Sequence, residues 1–323
     1  MKRFGLMGGL AALVVLLFLG SLMAGKAWVP PGAWFTNDPG WWIIAELRLP
    51  RAILGLAIGA GLGLTGAVLQ GYLRNPLADP AVVGVSSSAA LGAVAMIVIF
   101  SVTTPLLIFA GAMGAACLSM LLLAGLAWRA ESAVAFILAG TVLASLSGAL
   151  TAFLISVAPN PYAVAEIIDW IMGSLTDRSF AEAQLAVPFI AGGCALLLLT
   201  GRALDALTLG EAAARSMGMR LDRTQLLIVA GSGLVVGASV AVTGVIGFVG
   251  LIVPHLLRPL TGARPGALLL PSMLGGAALV LAADSLVRLA PMAGEIRLGV
   301  AMALLGAPFF FALLLKMRSS AWT

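Results

Sequence analysis

Charged residues are scarce in this sequence. They make up 10% of its 323 residues, whereas soluble domains carry about a quarter. His255 is the only histidine, which excludes a multi-histidine metal site. The two cysteines, Cys117 and Cys194, lie in apolar runs without the spacing of a disulfide or metal motif. The composition excludes an ordinary soluble domain, and we expect this chain to bind no metal ion.

Motifs for catalysis and nucleotide binding are also absent from the sequence. It has no G-x-S-x-G nucleophile motif, and its apolar runs lack the series of carboxylates that ion-coupled carriers use. Residues 20–26 have the G-x4-G-K spacing of a phosphate-binding loop, but Ala27 follows where Ser or Thr would hold Mg²⁺. We therefore predict no catalytic residue and no cofactor in this chain.

Long apolar runs dominate the chain instead. Hydrophobic residues make up 61% of it, the mean hydropathy is +1.12, and many runs reach the roughly 20 residues of a membrane-spanning helix. The sequence predicts an all-α polytopic membrane protein, with one transmembrane domain over residues 1–323. The first span is expected to be retained rather than cleaved as a signal peptide. The ten predicted spans are 5–25, 52–71, 86–103, 105–128, 133–157, 184–201, 225–246, 250–260, 266–289 and 298–316. The eighth is too short to cross alone and is expected to be a half-helix.

Basic residues are unevenly distributed between the predicted loops. If both termini are cytoplasmic, 12 lysines and arginines fall on the cytoplasmic side and 6 on the other, in the direction of the positive-inside rule. We therefore expect both termini in the cytoplasm. The net charge of +5 reflects this orientation and gives no support for nucleic-acid binding.

The most charged stretch is residues 202–224, which carries seven charges between apolar spans. Residues 211–215 contain good helix formers with Glu211 and Arg215 four apart, and Gly218 is placed to end the helix. A helix this short and polar has no wide apolar face to bury. The stretch is predicted to be a solvated loop or a docking element for a soluble partner.

The second predicted span carries a row of glycines. Gly55, Gly59 and Gly63 are four residues apart, with Gly66 beyond them. This spacing puts them on one helix face, where a neighbouring backbone can come very close. We expect tight helix packing there.

Two further segments leave alternatives open. Residues 71–80 contain two prolines, and non-helical backbone at membrane depth either packs into protein or lines a water-filled path. On the outer side, Arg48 and Arg51 either anchor the second span or form a cationic pad for an acidic partner. Asp284 and Arg288, four residues apart near the end of the ninth span, pair with one another or face water.

Eight motifs along the chain are specific enough to compare with known families. They are RLPR at 48–51, GAVLQ at 66–70, RNPLADP at 74–80, GVSS at 84–87, LGEAAAR at 209–215, GFVGLIVPH at 247–255, Asp284 with Arg288, and GAPF at 306–309. Together they resemble the FecCD family, the permease subunits of type II ABC importers for iron–siderophores, haem and vitamin B12.

The resemblance implies a ten-helix permease of the bacterial inner membrane that forms a homodimer with the translocation path at its two-fold axis. Two ATPase subunits, which bind ATP and Mg²⁺, would dock on the cytoplasmic side, so this chain would not itself be an enzyme. A periplasmic or lipid-anchored substrate-binding protein would dock outside. The expected cargo is an iron–siderophore or haem, with cobalamin as the alternative. A secondary transporter working alone is a more remote alternative.

The resemblance also implies roles for single residues. The stretch 202–224 would carry the family's coupling helix, which seats in an ATPase groove, and a cytoplasmic gate loop would precede the third span. On the outer side, three arginines would form rim ion pairs with the binding protein, each worth about 0–1 kcal/mol when exposed. The residues are Leu209, Gly210, Glu211 and Arg215 for coupling, Asn75 and Leu77 for the gate, and Arg48, Arg51 and Arg288 for docking.

Two segments depart from the family pattern. The family has Glu-Leu-Pro-x-Gly before the last helix, whereas this chain has Glu295 followed by Arg297 in place of the proline. Arg297, with Glu295, is a candidate for the substrate entrance. The alternative is that Arg297 pairs with Glu295 or caps a helix end. Residues 132–134 match the family's second gate segment poorly and receive no role.

Overall fold

The computed structural model describes residues 2–36, 38–80, 84–102, 104–128, 133–262, 264–291 and 294–320. Within these ranges the fold is helical throughout, which confirms the predicted all-α class. Short 3-10 turns and a π-helical turn, Ile43–Arg48, connect the α-helices. The α-helices are α1 Lys2–Met23, α2 Pro39–Trp42, α3 Leu49–Tyr72, α4 Val85–Phe100, α5 Pro105–Trp128, α6 Ala133–Ser156, α7 Pro161–Ile171, α8 Phe180–Leu198, α9 Gly201–Leu207, α10 Glu211–Ser216, α11 Leu221–Thr243, α12 Val249–Leu257, α13 Pro265–Leu289 and α14 Leu298–Ser320.

Seven stretches of the described chain are helical, long and apolar enough to cross a membrane. They are α1, the continuous helical stretch Pro39–Tyr72, α5, α6, α8, α11 and α13. α4, α12 and the described apolar part of α14 are shorter than this criterion requires. α12 has nine residues and is about 14 Å long at 1.5 Å per residue, less than half the hydrocarbon thickness. The prediction of a half-helix at this position is confirmed.

The predicted glycine row lets α3 pack backbone to backbone against α13. A Cβ atom on Gly59 would collide with the carbonyl oxygen of Gly276, and one on Gly63 with that of Ser272. Gly66, beyond the row, meets α12 in the same way, at the carbonyl of Gly250. α3 is therefore the central helix, with α13 and α12 against its glycine face.

The sharp turn between α11 and α12 depends on left-handed backbone. Gly244 ends α11 with φ of 70°, and a Cβ there would collide with the carbonyl of Trp170. Phe248 then begins α12 with φ of 67°, a conformation that a non-glycine residue rarely adopts. The chain thereby turns back into the bundle within five residues.

The helices differ greatly in the fraction of their residues that the rest of the chain buries. In Pro39–Tyr72, 83% of the most apolar window is buried, and in α11 the share is 78%, whereas in α1 and α6 it is 17%. The uncovered face of α6 carries Leu138, Val142, Leu146, Leu150 and Phe153. α6 therefore lies at the edge of the bundle, where it meets lipid or another chain.

Candidate functional site

The short charged helix α10 stands at one end of the bundle, which we call the α10 end. It begins after Gly210, whose φ of 97° is a conformation that suits glycine, and it ends before Gly218, whose φ is 82°. This matches the predicted helix. Ala214 is buried and anchors α10, while Leu209 and Met217 on either side are 67% and 57% exposed. Two apolar side chains thus face outward on either side of this polar helix.

The predicted gate loop lies at the same end, between α3 and α4. The side-chain oxygen of Asn75 accepts a hydrogen bond from the backbone N–H of Leu77 at 2.9 Å. The N–H of Asn75 donates to the carbonyl of Gln70 at 3.1 Å, and its own carbonyl accepts from Ala78. Asn75 therefore shapes the loop on both sides, and Leu77 is half-buried in it.

An ion pair connects this loop to α10. The Arg74 guanidinium lies 4.0 Å from the Glu211 carboxylate, with both side chains about half exposed. Arg74 has φ of 49°, so the backbone turn aims its side chain away from the line of α3. The structure therefore brings the gate and coupling segments together, which their separation along the sequence did not predict.

Gln70, at the end of α3, is a residue that the sequence interpretation missed. It is 1% exposed, and its amide group donates to the carbonyl of Gly250 at 3.1 Å. Its amide oxygen accepts from Arg258 at 2.6 Å. A glutamine in an apolar run beside a helix-breaking loop must find buried partners, and that signal was available in the sequence.

At the opposite end, five side chains form what we call the arginine cluster: Arg48, Arg51, Asp284, Arg288 and Glu295. Arg51 donates from Nε and Nη2 to Asp284 at 3.0 and 2.8 Å, and its Nη1 lies 2.9 Å from Glu295. Arg288 pairs with Asp284 at 2.9 Å, so of the two alternatives, pairing one turn apart or facing water, the structure shows the pairing. Two acids thereby bridge α3, α13 and the segment before α14.

Two arginines of the cluster hold the carboxyl end of α1. Arg48 donates to the carbonyls of Leu22 and Met23, each at 3.0 Å, and to that of Ala27 at 2.5 Å. Arg288 donates to the carbonyl of Ala24 at 3.1 Å and to the hydroxyl of Ser21 at 2.5 Å. The last carbonyls of a helix have no partner within it, so these guanidiniums satisfy α1 where its own hydrogen bonds end.

The burial of these arginines corrects one expectation. Arg48, Arg51 and Arg288 are 6%, 8% and 4% exposed, so they do not form the exposed rim that their predicted docking role assumed. Their guanidiniums are occupied by carboxylates and carbonyls of the same chain. Their role in docking stays a prediction, and it now requires a partner that reaches into the cluster.

Glu295 is the most accessible member of the cluster, with 26% of its side chain exposed. It accepts hydrogen bonds from Arg51 and from the hydroxyl of Thr176 at 3.0 Å. Burial alone would raise the pKa of Glu295, but the charge and hydrogen bond of Arg51, with the Thr176 hydrogen bond and the Arg288 charge, outweigh it and hold this pKa below its ordinary value. Glu295 is therefore ionised at neutral pH.

An open cleft of about 210 Å³ lies over the arginine cluster. Besides cluster members, Lys26, Asp177 and Arg178 line it. Burial lowers the pKa of Arg178, and the carboxylates of Glu182 and Asp177 only partly oppose this effect. Nε of Arg178 is buried and has no hydrogen-bond partner among the described residues.

The guanidinium of Arg297 makes a contact that was not predicted, while its backbone lies at a helix end, as one of the predicted alternatives has it. Its guanidinium forms a two-pronged ion pair with Asp169 of α7, with Nε donating at 2.8 Å. It does not pair with Glu295, which Arg51 occupies. The carbonyl of Arg297 accepts from Ala301 in the first turn of α14. Its possible role at a substrate entrance stays a prediction, with the guanidinium turned towards α7 in this structure.

Comparisons with known proteins agree with the motifs. The model of the FecCD transport family matches residues 13–316. A cobalamin import system permease protein of Halobacterium salinarum is 39% identical over 84% of this chain and 73% of its own length. A hemin transport system permease protein of Yersinia pestis is 35% identical over 97% of this chain and 96% of its own length.

A solved structure supports the same relationship. It is described as an inward-facing conformation of a metal-chelate type ABC transporter, and it is 31% identical to this chain. The likeness covers 97% of this chain and 99% of that one, with a TM-score of 0.86. The fold and the motifs therefore point to the same group of membrane proteins.

Proposed function

The chain belongs to the FecCD transport family and is a permease subunit of an ABC importer; from this premise we propose that it moves a metal chelate by alternating access. ATP and Mg²⁺ would be bound, and ATP hydrolysed, on a separate ATPase subunit. The chain itself contributes the path, the gate and the docking surfaces. The observation that carries the proposal is the contact between α10 and the gate loop through Arg74 and Glu211.

This contact gives a partner's movement a short route to the gate. A subunit that seats on α10 would contact the exposed side chains of Leu209 and Met217. A displacement of α10 then acts on the Arg74–Glu211 pair, and through it on the loop shaped by Asn75. We propose two ATPase subunits, one for each copy of the chain.

The uncovered helices support a homodimer. α6 exposes a long face that also carries Thr141 and Ser145, and α14 exposes Leu304 and Phe311. We propose that these faces meet or surround the path when two copies come together. In that setting α4, α12 and α14 would complete a ten-helix permease, because the second copy and the rest of the bundle can support shorter helices.

We propose an inner-membrane orientation with both termini and α10 in the cytoplasm, as the distribution of basic residues predicts. The arginine cluster then faces outward, where a substrate-binding protein would dock. The proposed cargo is an iron–siderophore or haem. Cobalamin is the second candidate, which the name of the Halobacterium relative favours.

Uptake by the reconstituted transporter would test the proposal. The chain and its ATPase are placed in proteoliposomes, and uptake of haem, a ferric siderophore and cobalamin is measured with ATP and without it. ATP-dependent accumulation of one chelate supports the proposal. Accumulation that follows a proton or sodium gradient and ignores ATP would instead identify a secondary transporter.

A second experiment isolates the role of α10. Replacing Glu211→Lys together with Arg215→Glu reverses both charges of this helix, and we expect ATP hydrolysis to persist while uptake falls at least about tenfold. The matched control is Arg220→Glu with Asp222→Lys, the same reversal in the same segment outside α10. Normal uptake by the Glu211/Arg215 variant would remove α10 from the coupling route.

A further inference from the structure

The cleft at the arginine cluster has more positive than negative charge. Five cations and two acids line the cleft, which is open to solvent, while Asp284 lies behind Arg51 and Glu182 acts on Arg178. The lining cations are Lys26, Arg48, Arg51, Arg178 and Arg288, and the lining acids are Asp177 and Glu295. A concave site with an excess of guanidinium groups suits a carboxylate, which arginine can bind through two parallel hydrogen bonds.

The two acids that touch Arg51 are not equivalent. Asp284 is 1% exposed, lies inside α13, and is held by both Arg51 and Arg288. Glu295 has 26% of its side chain exposed and lies before α14, outside any helix. If Glu295 leaves, Arg51 still has Asp284 as its counter-ion. Glu295 is thus the member of the cluster that another carboxylate can replace without leaving a buried charge unpaired.

Arg178 adds a further guanidinium group to the wall of the same cleft. Its Nε is buried and has no hydrogen-bond partner among the described residues. A carboxylate entering the cleft therefore lies among several guanidinium groups and can replace Glu295 at the edge of Arg51.

We propose that Glu295 is an exchangeable counter-ion, which covers Nη1 of Arg51 in the free chain and gives way to a carboxylate of a docking protein. The incoming group replaces the 2.9 Å contact between Arg51 and Glu295. The partner is therefore one that presents an exposed Glu or Asp side chain long enough to reach the buried arginines.

The exchange has a direct consequence for α14. Glu295 lies three residues before this helix, and the backbone N–H of Gly299 in its first turn is held by the carbonyl of Gly173 at 3.0 Å. Release of Glu295 from Arg51 and Thr176 removes the side-chain contacts that fix the start of α14 on this side. Docking therefore affects α14, one of the helices that the chain itself leaves uncovered.

The exchange itself is tested without any partner protein. Glu295→Ala empties the position, and sodium formate is then added to the full chain in detergent while thermal unfolding is followed by tryptophan fluorescence. We expect 100 mM formate, on the order used for such rescue, to raise the Tm of this variant by about 2 °C relative to the same concentration of chloride, and to leave the wild type unchanged. Equal shifts with formate and chloride would show that the position does not exchange carboxylates.

A second experiment tests docking and rests on the proposed function. It uses the intact transporter in nanodiscs with its substrate-binding protein. Glu295→Gln keeps the shape of the side chain but removes its charge, and we expect the binding protein to bind about threefold more tightly, since it no longer competes with an internal carboxylate. The matched control is Asp169→Asn, which removes the same charge near Arg297 and does not touch Arg51.

The outcomes separate the possible errors. An equal gain in both variants means that overall charge, and not exchange at Arg51, controls docking. Weaker binding by Glu295→Gln means that Glu295 itself supports the partner, which overturns the proposal. Formate rescue without any binding of the wild type to a binding protein would keep the exchangeable site and reject the importer partner.

Discussion

The α10 end and the arginine cluster use the same kinds of side chain in opposite physical settings. At the α10 end a single arginine and a single glutamate lie 4.0 Å apart, and both are about half exposed. In the cluster, Arg51 and Arg288, both less than 9% exposed, share the carboxylate of Asp284, and Arg51 also contacts that of Glu295. The first contact can break and reform at little cost, whereas the second holds three helices together. The same types of charged side chain at the two ends of the molecule therefore do not imply the same role.

The largest effect should come from removing the deepest acid. Asp284→Asn leaves Arg51 and Arg288 buried with Glu295 as their only remaining acid in the cluster, and we expect a loss of about 3–5 kcal/mol in the free energy of unfolding. Thermal unfolding in detergent checks this. Asp222→Asn at the α10 end is the matched control, because Asp222 is exposed. Equal stability of the two variants would contradict the comparison.

Arg48 should give a smaller and more local effect. Arg48→Ala leaves the carbonyls of Leu22, Met23 and Ala27 without their donor, at about 1–3 kcal/mol. Hydrogen exchange should rise at the carboxyl end of α1 more than in α3 or α11. Arg202→Ala, which removes an exposed arginine within α9, serves as the control. Uniformly faster exchange along the chain would mean that Arg48 supports the whole bundle and not this helix end.

Acid should weaken the arginine cluster through Glu295. Because the folded-state pKa of Glu295 is lowered, its contribution to stability is fully present above its ordinary value of 4.5 and is lost as the pH falls through the lowered value. Tm measured from pH 7 down to pH 3 should therefore decline less steeply in Glu295→Gln than in the wild type. Identical profiles would remove Glu295 from the acid response.

The smallest expected effect concerns the exposed pair. In a double-mutant cycle of Arg74→Ala and Glu211→Ala, the coupling energy for stability should be about 0.2–1 kcal/mol. Uptake should be measured for the wild type, the two single variants and the double variant. If the contact transmits movement, the effects on uptake should depart further from additivity than the effects on stability. Additive effects on uptake would mean that the two segments act independently.

Much of the helical framework was predictable from the sequence. The fourth predicted span, 105–128, coincides with α5, and the ninth, 266–289, differs from α13 by one residue. Apolar periodicity and proline at the first turn determine such helices locally. The glycine row also predicted a close helix contact for α3, because only a missing Cβ permits that approach, but it did not identify α13 as the partner.

The contacts of the charged residues were not predictable in the same way. Arg48 follows a tryptophan-rich segment and was predicted to be a surface residue, but its burial depends on carbonyls 21 to 26 residues earlier, at and just beyond the end of α1. Arg297 finds Asp169 at a separation of 128 residues. Ion pairs between distant segments follow from the tertiary arrangement, which local patterns do not specify.

The hydrogen bonds that Arg288 donates at the carboxyl end of α1 also have a consequence for biosynthesis. The donor and the Ala24 carbonyl are 264 residues apart, so the first helix made obtains this contact only when α13 has been synthesised. At about 5–20 residues per second, the carboxyl end of α1 has only the hydrogen bonds from Arg48 for roughly 15–50 s before those from Arg288 are added. Chains arrested before α13 should therefore be cleaved by protease near residues 22–27 more readily than chains arrested after residue 289.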